Sequence, residues 1–191
     1  MSVVTWPDHF LTLHEWDDLP EDNRFRREVV EGVLIVSPRP MTFHLRAVTR
    51  LSHLIDGQLP DSLSALSEPD VVVTEHPLTV RSPDVIVTGS KLADSNPPRY
   101  RVEDLLLAVE VLSEGSVRTD RVMKFSEYAE AGIPNYWLVD PDTPTTLTTF
   151  RLAGIGYEMV GRHTGLTTVD LDGTPITLDL GALTASRAQK L

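Results

Sequence analysis

The chain has 191 residues, a length that fits one domain (1–191) and buries enough surface to need no covalent staple. It contains no cysteine, which excludes a disulfide framework, a thiol nucleophile and thiolate-based metal or cluster sites. Seventeen Lys and Arg against 28 Asp and Glu give a net charge of −11, a balance that by itself disfavours nucleic-acid and anionic-membrane surfaces.

In chain order, the first residues show neither a basic stretch nor an apolar segment, and no later apolar run approaches the ~18 residues of a membrane span. A cytoplasmic protein with no membrane association is expected. Thr12-Leu13-His14-Glu15 has the spacing of a capping box and opens a short helix that Pro20 closes. Two β-branched runs flank Glu31-Gly32, which reads as a two-residue hairpin turn. Phe43, Ala47, Leu51, Leu54 and Ile55 fall at helical spacing and predict a helix over 42–57. Strands are expected at 71–73 and 84–87, then a loop over 90–101 centred on Pro97-Pro98.

The nearly unbroken apolar run at 105–111 reads as a central strand covered on both faces. Thr119 caps a helix reaching Ala131 and ended by Gly132 and Pro134, and a buried strand follows at 136–140. From 145 to 179 the Thr- and Gly-rich pattern suits an antiparallel extension, and a short helix is expected from Ala182. The fold class is therefore α/β, an α+β mixed domain built around one sheet.

Two strands carry acids where chemistry could use them. An antiparallel hairpin turning about Pro97 would set Asp84 opposite Glu110, with Cβ atoms ~5 Å apart. Carboxylates that close stay ionised only with a cation between them, a need that Mg2+ or Mn2+ meets. Glu110 is the lone charge in its apolar strand. Lys124, one of only three lysines, follows on the next helix with Asp120 one turn before it, and Glu28 on the first hairpin could add a third carboxylate. Spacing alone also allows plainer roles. Asp84 could start a strand, Glu110 could pair with a buried arginine, and Lys124 and Asp120 could form a surface pair. Glu28 could be solvated, and His44 could be a structural histidine. The arginine clusters at 24, 26 and 27, at 99 and 101, and at 118 and 121 suit either a solvated surface or a phosphate-binding rim.

Three strings carry more. They are Ser82-Pro83-Asp84-Val85-Ile86-Val87, then Val109-Glu110-Val111-Leu112-Ser113 followed by Arg118 to Lys124, and the run from Tyr128 to Pro141 containing Gly132-Ile133-Pro134-Asn135-Tyr136-Trp137. Together with Arg27-Glu28-Val29-Val30-Glu31-Gly32 and Ser37-Pro38, they make the chain resemble the Uma-type family over roughly residues 10 to 180. That family is a bacterial branch of the PD-(D/E)xK superfamily of restriction-endonuclease-like nucleases.

The resemblance implies a restriction-endonuclease-like core and a Mg2+- or Mn2+-dependent hydrolysis of DNA phosphodiesters, in a protein that resemblance also suggests is a homodimer. It assigns Asp84 and Glu110 as metal ligands, Glu28 as a further metal-side acid, and His44 and Asp120 to positions near the substrate. The usual motif lysine stands two residues after the acid, where this chain has Leu112, and Lys124 matches its replacement on the following helix. Two other readings use the same residues: a catalytically inactive nuclease-fold protein whose acidic surface binds a basic partner, and a hydrolase of a smaller phosphorylated substrate.

Overall fold

The computed structural model describes residues 8–20, 25–113 and 119–185. The first helix, α1 (Leu13–Asp17), starts at the expected capping box: the Thr12 hydroxyl accepts from the Glu15 N–H, and Glu15 Oε2 accepts from the Thr12 N–H at 2.9 Å. Strands β1 (Phe25–Val30) and β2 (Val33–Pro38) form the expected hairpin, with Val30 opposite Val33. Both turn residues are left-handed, Glu31 at φ 49° and Gly32 at φ 82°, the arrangement whose twist matches that of paired strands. A Cβ on Gly32 would stand 2.7 Å from Phe10 Cβ. Gly32→Ala is therefore expected to lower stability by roughly 2–4 kcal/mol, the combined cost of left-handed backbone and overlap. Urea denaturation checks this, and an unchanged midpoint would contradict the turn geometry.

Helix α2 (Thr42–Asp56) buries His44, Ala47, Val48, Leu51 and Ile55. Phe43 and Leu54, counted from spacing with the apolar face, lie on its exposed side, Phe43 at 61%. The buried stripe starts one position later than the spacing suggests, because His44 rather than Phe43 turns inward.

Next come β3 (Leu63–Ser67), β4 (Val71–Glu75), β5 (Leu78–Arg81) and β6 (Val85–Gly89). The expected loop at 90–101 contains a helical turn, α3 (Ser90–Asp94), and a two-residue strand, β7 (Tyr100–Arg101), which adds in parallel to β4. Strand β8 (Leu105–Val111) matches the central strand read from the apolar run. The helix expected from Thr119 opens as a π turn, Thr119–Met123, before the regular α4 (Lys124–Ala131). Gly132 ends it in the left-handed conformation at φ 92°. Then follow β9 (Asn135–Asp140), β10 (Thr146–Ala153), β11 (Gly156–Thr164), β12 (Leu166–Leu171), β13 (Thr174–Asp179) and α5 (Leu180–Thr184).

These strands make two sheets and a separate hairpin, not one sheet. The orders are β2-β1-β5-β4-β7 and β11-β10-β9-β8-β6-β3, with β12-β13 apart. The departure comes from β5, a short strand whose Val80 pairs with Val29 and so ties the first hairpin to β4 rather than to the central strands. In the six-stranded sheet, Val85 faces Val109 and Ile86 faces Ala108, the register that sets position 84 against position 110. The parallel β8–β9 step, joined through α4, places Val109 beside Trp137.

Both faces of this sheet are buried. One packs Val85, Val87, Val109 and Val111 against α2, α5 and the β12-β13 hairpin. The other packs Ile86, Ala108 and Leu112 with Tyr128 and Tyr136. Among the described residues no helix is long and apolar enough to cross a membrane.

Candidate functional site

The chain leaves the first sheet at Arg81 and enters the second at Val85, so Ser82-Pro83-Asp84 is the seam between them. On one side of the seam is β1, where Arg26 and Glu28 stand two residues apart and share a face. On the other is β8. By strand alternation Asp84 goes with Ile86, and Glu110 with Ala108 and Leu112, the face that Tyr128 of α4 also covers. That helix brings in Lys124 at its first residue and Tyr128 one turn later. His44 arrives from the first turn of α2.

The side chains interlock. Lys124 Nζ donates to Glu110 Oε1 at 2.9 Å and stands 3.4 Å from Glu28 Oε1. The Tyr128 hydroxyl donates to the same Glu110 oxygen at 2.9 Å. Asp84 Oδ1 accepts from Arg26 Nη1 at 2.9 Å, while its Oδ2 accepts the Val111 N–H at 2.7 Å and lies 3.1 Å from His44 Nε2. Arg26 also donates to the Ser82 carbonyl. Glu28 accepts from Arg81 at 2.9 Å and from the Ser82 N–H at 3.1 Å. Arg81 spends its other donors bidentately on Glu127, at 2.8 and 2.7 Å.

This packing sets the charges. Burial alone would raise the Asp84 carboxyl, but the His44 hydrogen bond and the Arg26 guanidinium outweigh it and hold Asp84 down to about 2. Burial likewise opposes ionisation of Glu28, and Lys124, Arg81 and Arg26 together hold it below the usual glutamate range. For His44, burial acts downward, yet its bond to Asp84 raises it above an ordinary imidazole. Burial also lifts the Tyr128 phenol well above its usual range, with Glu110 adding to the effect, so it remains a donor. Asp84 and Glu28 are thus held in the charged form although both are buried.

The structure brings together Glu28, His44, Asp84, Glu110 and Lys124. The plainer roles of solvation for Glu28 and Lys124 do not hold, since Glu28 is buried and Lys124 is 4% exposed. The side chain of Asp120 lies outside the described residues, as do Arg24 and Arg118.

Sequence reasoning missed Arg81 and Glu127 altogether, and with them the polar role of Tyr128. Tyr128 was findable, because four residues from Lys124 on a helix means the same face. Among the described residues, the other clustered arginines are tied to the protein itself. Arg27 donates to the Pro20 carbonyl, Arg99 pairs with Asp17, Arg101 with Glu75 and Arg121 with Asp140. Among the described residues, Arg26 is the member of those clusters that enters the site.

A family model, Uma2, described as "Putative restriction endonuclease", matches residues 9–184. The chain belongs to the Uma2 family. The crystal structure of "a putative nuclease belonging to DUF820" from Anabaena variabilis ATCC 29413 superposes with a TM-score of 0.70 at 21% identity, covering 91% of this chain and 97% of that one. The shared fold is restriction-endonuclease-like. No curated protein matches the chain.

Leu112 is 3% exposed and packed among apolar side chains, a place that would strand an ammonium group, whereas Lys124 reaches Glu110 from the helix. The donor chemistry fits a hard divalent ion: Asp84, just before β6, and Glu110 of the adjacent β8 supply carboxylates at neighbouring register positions, with Glu28 close by through Lys124. Among the described residues, no three His, Asp or Glu side chains already close on one point; Arg26 is bonded to Asp84 and Lys124 to Glu110. In addition, His44 Nδ1 is a buried polar atom with no hydrogen-bond partner among the described residues.

Proposed function

We propose that this Uma2 protein is a divalent-metal-dependent endonuclease that hydrolyses DNA phosphodiester bonds. The observation that carries the reading is the convergence of Asp84, Glu110 and Lys124 at the sheet seam, with Lys124 bonded directly to Glu110. Asp84 and Glu110 would hold Mg2+ or Mn2+. Such an ion, when bound, polarises the phosphoryl group and lowers the pKa of a coordinated water.

The remaining work falls to the chain's own groups. Lys124 directs its ammonium toward the acids, where it orients the attacking water or offsets charge developing on the phosphate. Glu28, fixed by Arg81 and the Ser82 N–H, positions Lys124 and acts on the metal side through it. His44 and the Val111 N–H fix the Asp84 carboxylate, and such supporting bonds around a ligand are worth about 10–100-fold in affinity or activity.

The test is nicking of supercoiled plasmid with Mg2+ or Mn2+, with EDTA stopping the reaction. Absence of cleavage of DNA in either metal would overturn the reading, and a nuclease-fold protein that binds a basic partner would then account better for the acidic composition.

A further inference from the structure

Arg26 stands out within the cluster for its company and its exposure. Its guanidinium bonds Asp84 Oδ1 and the Ser82 carbonyl, and it feels the charges of Glu110 and Glu28 as well, so that all three acids raise its pKa against the effect of burial. Lys124 is sealed in, with 5% of its side chain exposed, whereas Arg26 keeps 20% exposed while it bonds Asp84. A divalent ion on Asp84 would place two positive charges beside a guanidinium already bonded to the same carboxylate, and like charges that close repel. Arg26 and the ion therefore cannot both hold this carboxylate at full strength.

We infer that Arg26 is the site's resident counter-cation: it holds Asp84 when no metal is bound, and a divalent ion must displace it to enter. The inference rests on the proposed metal-dependent reading and adds a competition that reading does not contain. Displacement leaves the guanidinium tethered on β1 beside the site. It also gives the buried Asp84 carboxylate a charged partner before metal arrives.

The experiment is calorimetric titration of Mn2+ into the full chain as wild type, Arg26→Ala and Arg26→Gln, with thermal midpoints measured with and without saturating Mn2+. Removing the competing charge should tighten Mn2+ binding by about tenfold or more, one charge-assisted bond no longer having to be broken. The Mn2+-induced rise in midpoint should be larger in the variants than in wild type, because metal then neutralises an acid that has lost its arginine. Arg26→Gln keeps the stem and a polar contact to Asp84, and it decides the matter should Arg26→Ala fail to fold. Adding Asp84→Asn should remove the difference between the Arg26 backgrounds. If wild type binds Mn2+ and both Arg26 variants bind it equally or more weakly, the counter-cation role is overturned while metal dependence stands. If no form binds Mn2+, the metal-dependent reading falls and this inference with it.

Discussion

Asp84→Asn is expected to lower the rate of plasmid nicking by about 10³-fold or more, because a lost ligand removes several kcal/mol of stabilisation from the charge developing in phosphoryl transfer. The asparagine keeps the shape of the side chain and can still accept the Val111 N–H, so folding is preserved better than in an alanine variant.

The same substitution has a pH signature. The Asp84 carboxyl is held down to about 2 from an ordinary 3.8, so the unfolded chain takes up this proton first as pH falls. The stabilisation is present in full above pH ~4 and is lost as pH drops toward 2, a term of about 2 kcal/mol. Wild type and Asp84→Asn should therefore converge in stability through that acid window in urea titrations. Equal nicking rates, or parallel stability curves down to pH 2, would contradict the role assigned to Asp84.

Lys124→Met should be the most damaging single change to stability. It takes the ammonium away from Glu110 and Glu28, in a site where both acids are buried. Removing one partner of a buried ion pair costs about 3–5 kcal/mol. Nicking by the fraction that remains folded should fall a further ~10²–10³-fold, the scale of losing one electrostatic contact in the transition state. Mn2+ should restore part of the stability, since a divalent ion on Asp84 and Glu110 offsets the charge that Glu110 has lost its partner for. A Lys124→Met protein as stable as wild type would show that the ammonium is not what holds these carboxylates together.

Much of this site was legible in the sequence because two strands carried their own register. The pairing of position 84 with position 110 followed from a symmetric turn, and Val85 does face Val109. The hairpin at Glu31-Gly32 and the capping box at Thr12 were equally readable, since local turn and cap chemistry fixes them.

What sequence did not show is long-range. Arg81 lies 53 residues from Glu28, and Arg26 lies 58 from Asp84. Those contacts exist because β5 pairs with β1 and carries the chain across the seam, a step that short strands do not announce. Reading one sheet instead of two concealed the seam, and with it the arginines that neutralise the acids. Phe43 and Leu54 were misplaced for a smaller reason: an amphipathic stripe can rotate by one position when a buried histidine finds a carboxylate.

The central claim, that Asp84 and Glu110 together hold a divalent cation, is tested most directly by anomalous diffraction from crystals soaked in Mn2+. The account predicts an anomalous peak in contact with carboxylate oxygens of both residues, with the Arg26 guanidinium turned away from Asp84. Crystals saturated with Mn2+ that show no peak there, with Arg26 still bonded to Asp84, would contradict it.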